Sequence, residues 1–435
     1  MKKLLLVAAI LGTLPRLFSQ TNDSLSMLSG TPLDIYYNLT TGHRDTVRNN
    51  NWHIAFGMRR ALPPYQTMQA ATIRINEGRS VEIYKSNTTI SNWSTFDTAG
   101  WMGWPSFYNN DSTWDIGAMN QSRNLSNPYD YGWGQYSQSS HNVEGNNIWL
   151  IAITTSPNPN DPKTLKRLAV HKIAFDSMWV FTLSNVNGSD STTITINKAA
   201  FAGKMFAYLN VLSKTVIDRE PMLNTWDLLF TRYKTQVTMF GQTLMYPVMG
   251  VLQNPAVTSV KLEAADARNT APANTLVFKK NYNQVGWDWK TITTSPGPWP
   301  IRDSLAYFIK VGVNKIQRLV FTDYYADGSK QFIKFNKKEF IVTGTETVNK
   351  VNPTVTIYPN PAGQQVNITA TFNMKVNKLN VRLFDVTGRE VINELYDNVN
   401  GSFSAKLITA SLKSGLYFIS LDADGMVASQ KLVIE

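Results

Sequence analysis

The chain has 435 residues, 43% of them hydrophobic, with 42 Lys and Arg against 31 Asp and Glu for a net charge of +11. At roughly 150 residues per domain this is length for about three domains, each able to bury a core. The absence of cysteine excludes a disulfide scaffold, a lipid-modified cysteine anchor and a thiol nucleophile. The positive excess is diffuse, without the basic clusters of a nucleic-acid surface, and suits solubility or attraction to anionic polysaccharide.

Met1-Lys2-Lys3, the largely apolar run from Leu4 to Leu14 and the small residue of Ser19-Gln20 predict a secretory signal peptide over residues 1–19, with Arg16 an unusual intrusion near the cut. The run is too short for an anchor and no other stretch approaches 18 apolar residues, so the mature chain is expected to be soluble.

The next 320 or so residues repeat themselves. Ile35-Tyr36-Tyr37-Asn38-Leu39 followed by Trp52-His53-Ile54-Ala55-Phe56 corresponds to Ala207-Tyr208-Leu209-Asn210-Val211 followed by Trp226-Asp227-Leu228-Leu229-Phe230. Further on, Tyr131-Gly132-Trp133 pairs with Val285-Gly286-Trp287, and Lys172-Ile173-Ala174-Phe175 with Arg318-Leu319-Val320-Phe321. A period this long is a duplicated domain rather than a solenoid unit. The segments are rich in aromatic and β-branched residues and alternate with turn clusters such as Asn187-Gly188 and Asp327-Gly328. The expectation is all-β: tandem domains over residues 20–200 and 201–341.

The second copy resembles the HmuY family of secreted β proteins through Trp226 to Tyr233, Tyr246 to Leu252, Gly286-Trp287-Asp288-Trp289-Lys290, and Tyr307 to Tyr324. The first copy is similar through Trp52 to Phe56 and Ile73-Arg74-Ile75-Asn76-Glu77-Gly78. The resemblance implies haem capture between two axial side chains and transfer to an outer-membrane transporter. Iron there takes a neutral imidazole or thioether from each side of an apolar slot. The chain has four histidines, none in the second copy. His53 stands where the family has aspartate and reads as a core position; His43 lies in a turn and His171 leads a strand. His141, following Gly132 to Ser137, is the candidate ligand, with Met119 or Met102 opposite; its alternative is a solvated loop histidine.

An insertion places Trp93, Trp101, Trp104, Trp114 and Trp133 with Phe96, Phe107 and Tyr108 among Asn, Ser, Asp and Gly. Aromatic faces beside short polar groups suit a sugar or a porphyrin, or they pin a long loop to the core. The candidate ligand-binding set is therefore His141, Met119, Trp133, Trp101 and Trp104. No Gly-x-Ser-x-Gly elbow, His-Glu-x-x-His or phosphate loop occurs, and the chain reads as non-enzymatic. Steps such as Asp23-Ser24-Leu25 and Asp176-Ser177-Met178 resemble an O-glycosylation sequon or are ordinary turns.

After a polar linker at 342–353, residues 354–435 read as a small immunoglobulin-like β-sandwich. Leu379, Val381 and Leu383 alternate, Gly388 marks a tight turn, and Gly415 to Leu421 is apolar on both parities. Four motifs stand in order: Tyr358-Pro359-Asn360-Pro361-Ala362, Val381 to Val391 around Gly388, Ser414-Gly415-Leu416-Tyr417-Phe418-Ile419, and the terminal Lys431-Leu432-Val433-Ile434-Glu435. Together they resemble the C-terminal sorting domain (type A) of type IX secretion cargo, with Pro359, Asn360, Pro361, Gly388, Gly415 and Lys431 as signal residues. The resemblance implies recognition by the type IX translocon, then removal by a sortase-like peptidase or exchange for a surface lipopolysaccharide anchor. The sequence thus predicts a secreted, surface-delivered binding protein for haem or another flat apolar ligand; the alternative is a glycan-binding or adhesive module without haem.

Overall fold

A computed structural model describes residues 20–59, 71–156, 158, 161–239, 241–291, 299–312, 314–341, 354–424 and 426–435. The predicted leader and linker lie outside these. The chain divides into two compact units, residues 1–342 and 343–435, and the fold is all-β.

Short apolar runs become strands, and their burial tells which layer they occupy. Asn147–Ile153 is apolar on both parities and buried along almost its whole length, as a central strand covered on both faces must be. Arg44–Arg48 alternates exposed and half-buried residues and forms a sheet edge.

Among the described residues the larger unit contains four antiparallel sheets. An eight-stranded sheet runs Thr192–Asn197, Met178–Asn185, Thr164–Ala174, Asn147–Ile153, Val81–Thr89, Ser106–Phe107, with Gly134–Tyr136 and Val143–Gly145 joined through Thr164–Ala174. A four-stranded sheet, Thr215–Ile217, Phe206–Asn210, Ile54–Gly57, Ile73–Ile75, shares a core with it that includes Phe56, Ile73, Leu209, Trp133, Trp149, Trp179 and Phe181. These two sheets form lobe 1.

Lobe 2 repeats the arrangement. Its four-stranded sheet runs Gln242–Gln253, Leu228–Met239, Leu33–Tyr37, Arg44–Arg48, and its five-stranded sheet runs Thr21–Leu28, Lys330–Ile341, Lys315–Asp327, Leu305–Lys310, Thr258–Glu263. Tyr37, Phe230, Trp289, Tyr307, Phe321 and Phe335 fill the space between. The two four-stranded sheets meet through Tyr36, Ala55, Phe206, Tyr208, Trp226 and Leu229.

The two sequence copies are not laid end to end as expected. Leu33–Tyr37 of the first copy pairs with Leu228–Met239 of the second, Tyr37 opposite Leu228. Phe206–Asn210 of the second copy pairs with Ile54–Gly57 of the first, Tyr208 opposite Ala55. Thr21–Leu28 pairs with Lys330–Ile341, some 300 residues away. The expected boundary between 200 and 201 is therefore corrected: residues 54–217 build lobe 1, which is inserted in lobe 2, built from 21–48 and 228–341. Each copy's leading hairpin sits in the other copy's sheet.

Side-chain bonds confirm the correspondence position by position. Asn38 Nδ2 donates to Thr225 O at 3.1 Å and its Oδ1 accepts from the Thr40 and Thr41 amides. Asn210 Nδ2 donates to Asn51 O at 2.9 Å and its Oδ1 accepts from the Leu212 and Ser213 amides. Trp226 meets Tyr36 edge-on at 5.0 Å, and Trp52 meets Tyr208 edge-on at 4.9 Å.

In the smaller unit Gln365–Asp385 is the organising strand. Its first part pairs with Thr354–Tyr358, its last part with Gly415–Ala423, and Glu390–Ile408 follows it on both sides of a register break between Thr371 and Lys375. Met426–Ile434 completes five strands, two fewer than an immunoglobulin constant domain carries. Val366, Ile368 and Ala370 from the first part and Leu379, Val381 and Leu383 from the second enter one core, so the single strand lines two sides of it.

Candidate functional site

In the smaller unit, motifs far apart in sequence come to one end. Asn360 is the clasp: its Nδ2 donates to Lys431 O at 2.7 Å and its Oδ1 accepts from Val433 N at 2.9 Å. Ala362 N donates to Val433 O at 2.8 Å and Glu435 N to Ala362 O at 3.0 Å, so the Pro359-Asn360-Pro361 corner holds the final strand from both directions. Gly415 pairs with Ile434, and Tyr417 with Asp385, which brings the third and second motifs to the same end.

Gly388, at φ +84°, occupies the left-handed turn that returns the chain. Asp385 nucleates that turn: its Oδ1 accepts from the Thr387 amide, the Thr387 hydroxyl and the Arg389 amide, and its Oδ2 meets Arg389 Nε at 3.1 Å. These bonds, that of the Thr387 hydroxyl first, hold its carboxyl down at about 2. Lys431 is exposed while Leu432 and Ile434 point into the core. All six predicted signal residues thus lie at or beside one end of the domain, and Asp385 is the participant sequence reading did not single out, although its position three residues before Gly388 is the signature of an Asx-type turn.

In the larger unit the structure separates the predicted ligand set. Met119 is fully buried in the lobe 1 core. Trp133 lies in the same core, with Nε1 donating to Ala71 O at 2.8 Å. Trp101 and Trp104 belong to a different cluster with Tyr84, Phe96, Ile148 and Leu150, on the outer face of the eight-stranded sheet. His141 is exposed, with Nδ1 at 2.9 Å from the Tyr136 hydroxyl. The five do not line one slot, because consecutive β positions send side chains to opposite faces and the insertion crosses from one face to the other. Met102, at 81% exposure, faces solvent. The Trp-rich insertion acts mainly as a clamp: Arg167 stacks on Trp93 at 3.8 Å and donates to its carbonyl, and Trp114 Nε1 reaches Gln253 O at 2.8 Å, tying lobe 1 to lobe 2.

His53 is the core position expected of it. Its Nδ1 accepts from Val211 N at 3.0 Å, and burial lowers its pKa to about 4. The matching residue of lobe 2, Asp227, accepts from Leu39 N at 2.7 Å.

A cavity of about 60 Å³ lies where the two four-stranded sheets meet, lined by Asp34, Tyr36, Trp52, Glu77, Arg219 and Thr231 among others. It has room for a few water molecules. Arg219 pairs with Asp34 at 2.7 Å while Thr231 donates to the other carboxylate oxygen at 2.6 Å. Glu220 accepts from the Met205 and Phe206 amides and from the Tyr208 hydroxyl. Burial pushes the carboxyls of Glu77 and Glu220 up to about 7, against the bonds and arginines that favour their charge. Asp34, Glu77, Arg219, Glu220 and Thr231 are bonded into the sheets, whereas the Tyr36 hydroxyl and Trp52 Nε1 are buried without a hydrogen-bond partner among the described residues.

Residues 356–435 match the family described as the secretion system C-terminal sorting domain. No curated protein matches the chain. Among solved structures, a dimeric latent PorU from Porphyromonas gingivalis is similar at 9% identity and a TM-score of 0.17, covering 83% of this chain and 31% of that one. The chain thus spans about a third of PorU's length, and the overlap carries no argument about fold or activity. Cargo with such a tail is exported to the cell surface or beyond, and the class defined here is a type IX secretion substrate with a two-lobed β body.

Proposed function

We propose that the chain is a surface-delivered, non-enzymatic binding protein whose two lobes are displayed outside the cell by the sorting domain. The observation that carries this reading is the convergence of the sorting motifs on one end of the smaller unit, with Asn360 clasping the last strand. The type IX translocon is the partner for that end, and a sortase-like peptidase then releases the body or transfers it to lipopolysaccharide. The buried carboxylates favour a non-catalytic body, because Asp34, Glu77 and Glu220 are bonded into the sheet seams rather than open to a substrate. His141, Met119, Trp133, Trp101 and Trp104 do not line one haem slot, because they lie in separate clusters and at the surface. The likeness of each lobe to HmuY stays a proposal of common ancestry. Fusing residues 343–435 behind a signal-bearing fluorescent reporter in a type IX-competent host tests the reading: surface fluorescence that disappears in a translocon mutant supports it, and periplasmic retention in both overturns it.

A further inference from the structure

Two neighbouring turns of lobe 1 hold aromatic residues in a backbone conformation that such residues rarely adopt. Phe175 and Asp176, at φ +47° and +51°, form a two-residue turn closed by Ser177 N to Ala174 O at 2.8 Å. Both central residues have positive φ, the geometry for which Asn-Gly is preferred. A bulky side chain there strains the backbone. The strain is not offset by burial, because Phe175 is 69% exposed.

His141, at φ +54°, is likewise exposed. Ile173 pairs with Val143, and Phe175 N donates to Asn142 Oδ1 at 3.2 Å, so the two turns leave the sheet side by side. From His141 a row of rings continues: Tyr136 at 6.4 Å, then Tyr129, 44% exposed, nearly parallel to Tyr136 at 6.0 Å.

Hydrogen bonds fix the row. The Tyr136 hydroxyl holds His141 Nδ1, and Gln138 Nε2 donates to the Tyr129 hydroxyl at 2.9 Å. Tyr129, His141 and Phe175 are exposed, while Tyr136 is half-buried against the lobe 1 core and joins Tyr129 to His141. Aromatic faces with the planar Gln138 amide at their rim match a pyranose, which presents C–H groups on its faces and hydroxyls around its edge. Exposed aromatic side chains held at strained turns make a surface shaped for contact.

We propose that Tyr129, Tyr136, His141 and Phe175 form a binding site for a glycan chain, with Gln138 engaging its hydroxyls. The site gives a ligand class to the binding role proposed above and rests on that reading. It is separate from the Trp101 and Trp104 cluster.

Affinity electrophoresis of the mature chain through gels containing laminarin, xylan, starch or polygalacturonate tests it, with Phe175→Gly and Tyr129→Ala beside the parent. Glycine relieves the turn, so Phe175→Gly is expected to melt no lower than the parent while its retardation weakens by about fivefold, as loss of one stacking ring predicts. Parent and variants retarded equally would overturn the site while leaving glycan binding elsewhere intact. No retardation of the parent in any gel would overturn the glycan, with export unaffected. A lower melting point for Phe175→Gly would show the ring to be a packing residue and overturn the argument from strain.

Discussion

Asp227 and His53 occupy matching places in the two lobes and do the same work with different groups, a carboxylate oxygen in one and an imidazole nitrogen in the other accepting an amide from the turn of the exchanged hairpin. Around them Asn38 and Asn210 make identical sets of bonds, and Tyr36 and Tyr208 meet Trp226 and Trp52 alike. Away from this frame the lobes part. Lobe 1 covers its outer sheet with Trp93, Trp101 and Trp104; lobe 2 covers its own with Leu276 and Phe278, packed on Val260, Leu262 and Phe340 of the sheet. The hydrogen bonds that close each hairpin match between the lobes while the covering loops differ, and loops are where binding surfaces arise.

The frame can be broken most forcefully at its centre. Asp34→Ala strands Arg219 between the lobes without its carboxylate, and a loss of about 3–5 kcal/mol is expected from urea unfolding. Gly78→Ala comes next: an added Cβ would stand 2.2 Å from Arg232 O, and a loss of about 3 kcal/mol is expected because backbone must shift. The comparison is sharpened by Asn38→Ala and Asn210→Ala, each of which removes the partner of a carbonyl and two amides that water can then reach. About 1 kcal/mol is expected for each, and equal costs are the signature of equivalent roles; a marked inequality would deny the equivalence.

The frame also responds to pH. Glu77 and Glu220 have folded pKa values near 7, above their unfolded 4.5, so their folded forms bind more protons and stability falls as pH rises from 4.5 towards 7. His53 acts in the opposite sense. Its folded value near 4 lies below 6.5, so its contribution is complete above 6.5 and is lost as pH falls towards 4. Glu220→Gln keeps an amide oxygen for the Met205 and Phe206 amides and is expected to flatten the decline between pH 5 and 7 in thermal melts.

Much of this was legible in the sequence. The repeated Tyr-x-Asn and Trp motifs announced the duplication, strand periodicity announced the class, and the order of four motifs announced the sorting domain. Hairpin exchange was not legible, because Tyr37 and Leu228 look the same whichever copy's strand they pair with; only the connection decides it. Asp34 and Arg219 lie 185 positions apart with no local pattern linking them. The expected pairing of His141 with Met119 is not formed: the His141 ring lies beside Tyr136 at the surface, while Met119 lies in the core.

The most direct test of the account is fractionation of a type IX-competent host expressing the full chain and its Asn360→Ala variant. The clasp between Asn360 and the final strand predicts the full chain at the cell surface or in the medium, with the variant folded but accumulating in the periplasm. Equal delivery of both would contradict the assignment of this end of the domain as the surface the export machinery reads.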